Sequence, residues 1–106
     1  MTTFDEREHA FENLYVHDQD VRFRVLARRN KALADWAAAL VGKTGADAAA
    51  YRDDVLAYAL SHDGDEMLAQ KILEDLRNGQ KIVALPDIRA QMDKFMAAAL
   101  QHEKEG

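Results

Sequence analysis

The sequence contains no cysteine, one proline and five glycines among its 106 residues. The lack of cysteine excludes disulfide bonds and thiolate chemistry, and it is compatible with a reducing compartment. Because proline and glycine are scarce while alanine, leucine and charged residues are abundant, the composition predicts an all-α protein. The chain length predicts one domain with a small hydrophobic core.

Long hydrophobic runs are also missing. No apolar stretch reaches the roughly 18 residues that a membrane-spanning helix needs, and the opening MTTFDEREHAF lacks the apolar core of a signal peptide. We therefore expect a cytoplasmic protein without direct membrane insertion. The net charge of -5 argues against nucleic acid as a partner, because binding to phosphate backbones generally requires a basic surface.

Patterns typical of catalysis or metal binding are absent as well. The sequence has no nucleophile–base pattern and no glycine-rich phosphate loop, and its histidines do not fall at metal-chelating spacing. Asp63 and Asp65 could begin a calcium loop, but Met67 and Leu68 occupy the positions that need an oxygen ligand and a glycine. We therefore predict a protein that is not an enzyme and that holds no metal ion or cofactor.

The most regular stretch is Val21–Val41, which contains neither proline nor glycine and predicts an amphipathic helix of about six turns. One row of this helix carries the leucines Leu26, Leu33 and Leu40. Arg22 and Arg29 point into the same row, so we expect their side chains to be partly buried or paired.

Three further helices are predicted by apolar residues at helical spacing, at about residues 46–60, 66–77 and 86–102. Asp63 or Asp65 is expected to cap the second of these helices. Ile82 or Val83 is expected to cover one end of the core. Because the connections are short, successive helices should run antiparallel.

The segment Thr3–Val16 can form a helix with one apolar face, which consists of Phe4, Phe11, Leu14 and Tyr15. Burial of each would contribute about 1.5–3 kcal/mol, whereas ordering costs about 1–2 kcal/mol for each residue. The segment therefore needs a surface to fold on. It is either a first helix packed on the bundle or an arm that becomes ordered on a partner.

Charge is distributed unevenly. Residues 5–18 carry five acids against one arginine, whereas residues 22–31 carry five cations: Arg22, Arg24, Arg28, Arg29 and Lys31. Phe23 adds aromatic surface beside them, and arginine with aromatic residues is typical of protein interfaces. These cations could be solvated, paired with the acids of the first segment, or bound to a partner's carboxylates. It could also serve a helical adaptor or a nucleic-acid-binding module that uses residues 22–31.

Several stretches resemble the ζ-subunit family, the alphaproteobacterial inhibitor proteins of the F-type ATP synthase. They are FDEREHAFE at 4–12, HDQDVRFRVLARRNKALADWAAALVG at 17–42, Gly45-Ala46-Asp47 with Tyr51, Gly64-Asp65-Glu66, and residues 88–93. The similarity covers essentially the whole chain. The chain departs from the family at Ala84-Leu85-Pro86, where a polar helix cap is expected.

The resemblance implies a four-helix bundle at residues 19–106 and an N-terminal inhibitory arm, helical or partly disordered, at residues 1–18. In the family, this arm is inserted at a catalytic α/β interface of the ATP synthase head near the γ stalk and blocks ATP hydrolysis. The resemblance further implies a monomer when free, a place at the cytoplasmic side of the inner membrane when bound, and weak adenine-nucleotide binding in some members.

The residues and the resemblance together predict which side chains meet the partner. The apolar anchor would consist of Phe4, Phe11, Leu14 and Tyr15. Polar contacts would come from Arg7, Glu8 and Glu12. Arg22, Phe23 and Arg28 or Arg29 would continue the contact where the arm joins the bundle, and the bundle would prevent the arm from passing deeper.

Overall fold

The computed structural model describes residues 19–62 and 64–105, and nearly all of this part of the chain is helical. Its helices are α1 Gln19–Leu40, α2 Gly45–Ser61, α3 Asp65–Asn78 and α4 Leu85–Glu105. The described residues form no strand, so the all-α prediction and the prediction of four bundle helices are confirmed. The largest difference in the bounds is at the end of α4, which continues three residues beyond the predicted limit of 102.

Helix α1 lies at the centre of the bundle, because its apolar row packs against the other three helices. The main core is built around Leu33, Ala34 and Ala37 of α1, Val55 of α2, Leu68, Ala69, Ile72 and Leu76 of α3, and Ile88 and Met92 of α4. Helix α4 runs back along α1, so that Arg24 near the start of α1 meets Glu103 near the end of α4.

A second, smaller cluster extends the core toward the start of α1. Its buried members are Val25 of α1 and Met96 and Ala99 of α4, with Val21, Leu26 and Leu100 packed against them. Within the described chain, α1 and α4 alone supply these residues.

The turns after α1 and α3 each contain a residue in the left-handed region. Gly42 has φ +79 after α1, and Gln80 has φ +65 after α3. The neighbouring Gly79 has an ordinary φ of -87, so its backbone does not require glycine. A Cβ atom built on Gly79 would instead lie 2.4 Å from Cγ1 and 2.8 Å from Cβ of Val41. Gly79 is needed because the two turns approach each other closely.

Replacing Gly79 with alanine should therefore lower the free energy of unfolding by about 1–3 kcal/mol, the usual cost of overpacking a close contact. Thermal or denaturant unfolding measures the loss. Adding Val41→Ala to the same chain removes the nearer clashing methyl and should recover part of it. A Gly79→Ala protein as stable as the parent would contradict the close approach.

The connections before α3 and α4 agree with the predictions only in part. The expectation that Asp65 caps α3 is wrong: Gly64 occupies the N-cap position without a side-chain cap, and the Asp65 carboxylate is hydrogen-bonded to Arg29 instead. The alternative cap, Asp63, lies outside the described residues. Val83 packs against the main core as expected, whereas Ile82 is 84% exposed.

A polar network joins α2 to α3. The Tyr51 hydroxyl donates to an Asp75 carboxylate oxygen at 2.9 Å. The Lys71 ammonium lies 2.7 Å from Asp54 and 3.0 Å from Asp75. Burial of the phenol, reinforced by the hydrogen bond to Asp75, raises the pKa of Tyr51 far above its ordinary value. Tyr51 therefore acts as a neutral hydrogen-bond donor that fixes one helix on the other.

Candidate partner-binding face

The residues predicted to contact a partner fall into two groups. The arm residues Phe4, Arg7, Glu8, Phe11, Glu12, Leu14 and Tyr15 lie outside the described residues. The remaining ones, Arg22, Phe23, Arg28 and Arg29, all lie in the first half of α1. The structure therefore describes the part of the predicted site that directly follows the arm.

Arg29 is held inside the bundle. Its side chain is only 2% exposed, and its two terminal nitrogens donate to the two carboxylate oxygens of Asp65 at 2.8 and 2.7 Å. Its Nε donates to Oδ1 of the buried Asn30 at 2.8 Å. This confirms the expectation that Arg29 is buried and paired. Because its guanidinium is committed to Asp65, Arg28 is the better candidate of the pair for contact with a partner.

Phe23 and Arg28 lie on the solvent side of α1. Phe23 is 60% exposed. Arg28 is exposed five residues further along, while Arg22 is half-buried. Phe23 and Arg28 both line one groove, and a mixture of aromatic and arginine side chains is typical of protein interfaces.

A shallow groove runs beside these residues, between the first half of α1 and the end of α4. Its lining consists of Phe23, Arg24, Ala27, Arg28, Lys31, Ala32 and Asp35 of α1, with His102 and Glu103 of α4. The sequence analysis included Phe23 and Arg28 in the predicted site but did not connect them to α4. The short connections could have suggested this, because successive antiparallel helices bring the end of α4 beside the start of α1.

The acidic residues of this groove are already neutralised. Arg24 donates to Glu103 at 2.5 Å, and Arg52 contacts Asp35 at 2.9 Å. The hydrogen bond from Arg24, with the positive charges nearby, holds the pKa of Glu103 below its usual value. The electrostatic potential of the groove is therefore positive and comes largely from its remaining cations, Arg28 and Lys31.

The described residues contain neither a metal-binding cluster of side chains nor a membrane-spanning helix. Nowhere in residues 19–62 and 64–105 do three histidine or acidic side chains gather closely enough to hold a metal ion. Across the same residues, none of the helices combines the length and the apolar character that crossing a bilayer would require.

The described residues form an all-α helical bundle that exposes phenylalanine and arginine along one helix. The family model of the ATPase inhibitor subunit zeta matches residues 1–102, and the chain belongs to this family. It is accordingly a regulatory protein and not an enzyme, with a role in inhibiting the ATP synthase to which it binds. No curated protein sequence and no solved structure matches the chain.

Proposed function

We propose that this protein blocks ATP hydrolysis by inserting its N-terminal region, residues 1–18, at a catalytic α/β interface of the ATP synthase head near the γ stalk. The observation that carries the proposal is the match of an inhibitor family across both the arm and the bundle. The inserted segment would prevent the interface from opening and closing. Inhibition is then steric and needs no covalent chemistry.

The division of the chain supports this mechanism. Residues 19–62 and 64–105 supply a packed body with its own core, whereas residues 1–18 carry four large apolar side chains separated by charges. An amphipathic segment of this kind is suited to a groove between two subunits. The body would hold the arm at the entrance and prevent it from passing deeper. The free protein would be a monomer, and the bound one would lie at the cytoplasmic side of the inner membrane.

Phe23 and Arg28 would extend the contact from the arm onto the body. Phe23 lies one turn after the start of α1 at Gln19, so any surface that holds the arm comes close to it. Its exposed ring could fill an apolar pocket, and Arg28 could meet carboxylates of the α or β subunit. Arg29 would contribute indirectly, because its pair with Asp65 fixes the start of α3 against α1.

The adaptor or nucleic-acid alternative rests on the same basic helix and has less support. Of its five cations, Arg29 is buried against Asp65 and Arg24 is paired with Glu103. A protein with a net charge of -5 would need a larger basic surface to bind phosphate backbones tightly.

A photo-crosslinker placed at Phe23 should capture a subunit of the ATP synthase head when the full-length protein is bound to it. The matched position is Ile82, which is even more exposed but lies in the connection before α4, at the far end of the bundle. Mass spectrometry of the products identifies the captured subunit. Capture of α, β or γ from position 23 but not from position 82 supports the proposal. Equal capture from both, or none from position 23, contradicts it.

A further inference from the structure

The groove between α1 and α4 has the features of a binding surface for an acidic helix. Ala27 and Ala32 are half-buried small residues that lie on the two sides of the charged row of α1 in this groove. Phe23 offers an exposed ring at one end. Arg28 and Lys31 stand exposed beside the small residues.

The positive charge of the groove would attract an acidic helix. Its own acids, Asp35 and Glu103, are each in an ion pair with an arginine. Among residues 19–62 and 64–105, neither Arg28 nor Lys31 forms a salt bridge. Two exposed cations flanked by small side chains and by the ring of Phe23 match a helix that carries carboxylates beside apolar side chains.

The chain itself contains such a segment. Residues 5–18 carry Asp5, Glu6, Glu8, Glu12 and Asp18 against the single Arg7. The same segment has aromatic side chains at helical spacing. It joins α1 at Gln19, within about one turn of Phe23, so a direct tether presents it to the groove at an effective concentration in the millimolar range.

We propose that, in the unbound protein, residues 1–18 fold back on the groove between α1 and α4 and are held there by Arg28 and Lys31. This contact acts as a latch, because the same segment cannot lie on the groove and enter the ATP synthase head at once. The regulatory consequence rests on the proposed function, whereas the contact itself does not.

The latch predicts where residue 10 lies relative to α1. If the chain reverses direction immediately before α1 begins at Gln19, residue 10 lies alongside residues 27 and 28. If the segment instead continued α1 as one straight helix, the 18 intervening steps would separate the two positions by about 27 Å along the helix axis. A distance-sensitive probe at residue 10 distinguishes these arrangements.

The full-length protein suits such a probe because it has no native cysteine. A nitroxide on Ala10→Cys should broaden the backbone amide signals of residues 27–32 and of His102. The charge-reversed pair Arg28→Glu and Lys31→Glu should weaken this broadening. A control pair with the same charge change, Lys43→Glu and Lys81→Glu, lies in the connections at the other end of the bundle and should leave it intact.

Three results would overturn the latch. The broadening could be absent or centred elsewhere, or it could persist unchanged in the groove variant. It could also appear in a mixture of spin-labelled and isotope-labelled molecules, which would assign the groove to a second copy of the chain. The latch predicts no broadening in that mixture.

Inhibition kinetics separate failure of the latch from failure of the proposed function. Lys31→Glu alone weakens the latch and should speed the onset of ATPase inhibition by about two- to fivefold, the effect of one exposed ion pair. An unchanged or slower onset with inhibition intact would overturn the latch alone. Absence of inhibition by both the parent and the variant would overturn the proposed function, while the spin-label experiment would still decide the contact.

Discussion

Replacing Asp65 with alanine is expected to lower the free energy of unfolding by about 3 kcal/mol, because it leaves the guanidinium of Arg29 buried without its counter-ion. Arg29 is 2% exposed and Asp65 is 13% exposed, and the two form a bidentate pair. For a domain of this size, such a loss corresponds to a decrease in Tm of roughly 12–24 °C. Thermal and denaturant unfolding, followed by circular dichroism, measure the effect.

The exposed pair of Arg52 and Asp35 provides a matched control. Its side chains are 41% and 49% exposed, so Asp35→Ala should cost no more than about 1 kcal/mol. A double-mutant cycle with Arg29→Leu isolates the coupling, since the double variant has no unpaired buried charge and should recover part of the stability. Similar losses for Asp65→Ala and Asp35→Ala would contradict the structural role assigned to Arg29.

Removal of residues 1–18 should abolish inhibition of ATP hydrolysis by the cognate ATP synthase. The truncated protein retains all the described helices and both core clusters, so it should still show helical circular dichroism and cooperative melting. It would lack the segment that enters the catalytic interface. Steady-state ATP hydrolysis, measured with increasing amounts of each protein, provides the comparison.

The control for this deletion is a full-length protein in which the residues of the arm are placed in scrambled order. It keeps the length, composition and charge of the arm but loses the single apolar face. It should inhibit as poorly as the truncated protein if amphipathic insertion is the mechanism. Full inhibition by a folded truncated protein would refute the role of the arm, and full inhibition by the scrambled protein would refute the role of its apolar face.

The helices could be predicted from the sequence because each depends on local information. Periodic apolar residues identified all of α1 to α4, and glycines near residues 42 and 79 marked where two of them end. The burial of Arg29 could also be predicted, since its position in the leucine row requires it. These features follow from spacing along one helix and do not depend on how the helices are arranged.

Features that depend on packing between helices could not be predicted in the same way. Asp65 has the local pattern of a helix cap, and only the approach of α3 to α1 makes it the counter-ion of Arg29, 36 residues away. Similarly, Glu103 joins the groove beside Phe23 only because α4 returns along α1. Gly79 marks the end of α3 in the sequence, but its contact with Val41 is visible only in the fold.

The central claim is that an apolar face of the arm anchors this protein in the ATP synthase head. The most direct test is the inhibition constant of full-length Phe11→Glu, compared with that of Phe11→Leu as an apolar control. Burying a phenylalanine is worth about 1.5–3 kcal/mol, so Phe11→Glu should weaken inhibition by at least about tenfold, while Phe11→Leu should stay close to the parent. Equal inhibition by Phe11→Glu and the parent would contradict the claim.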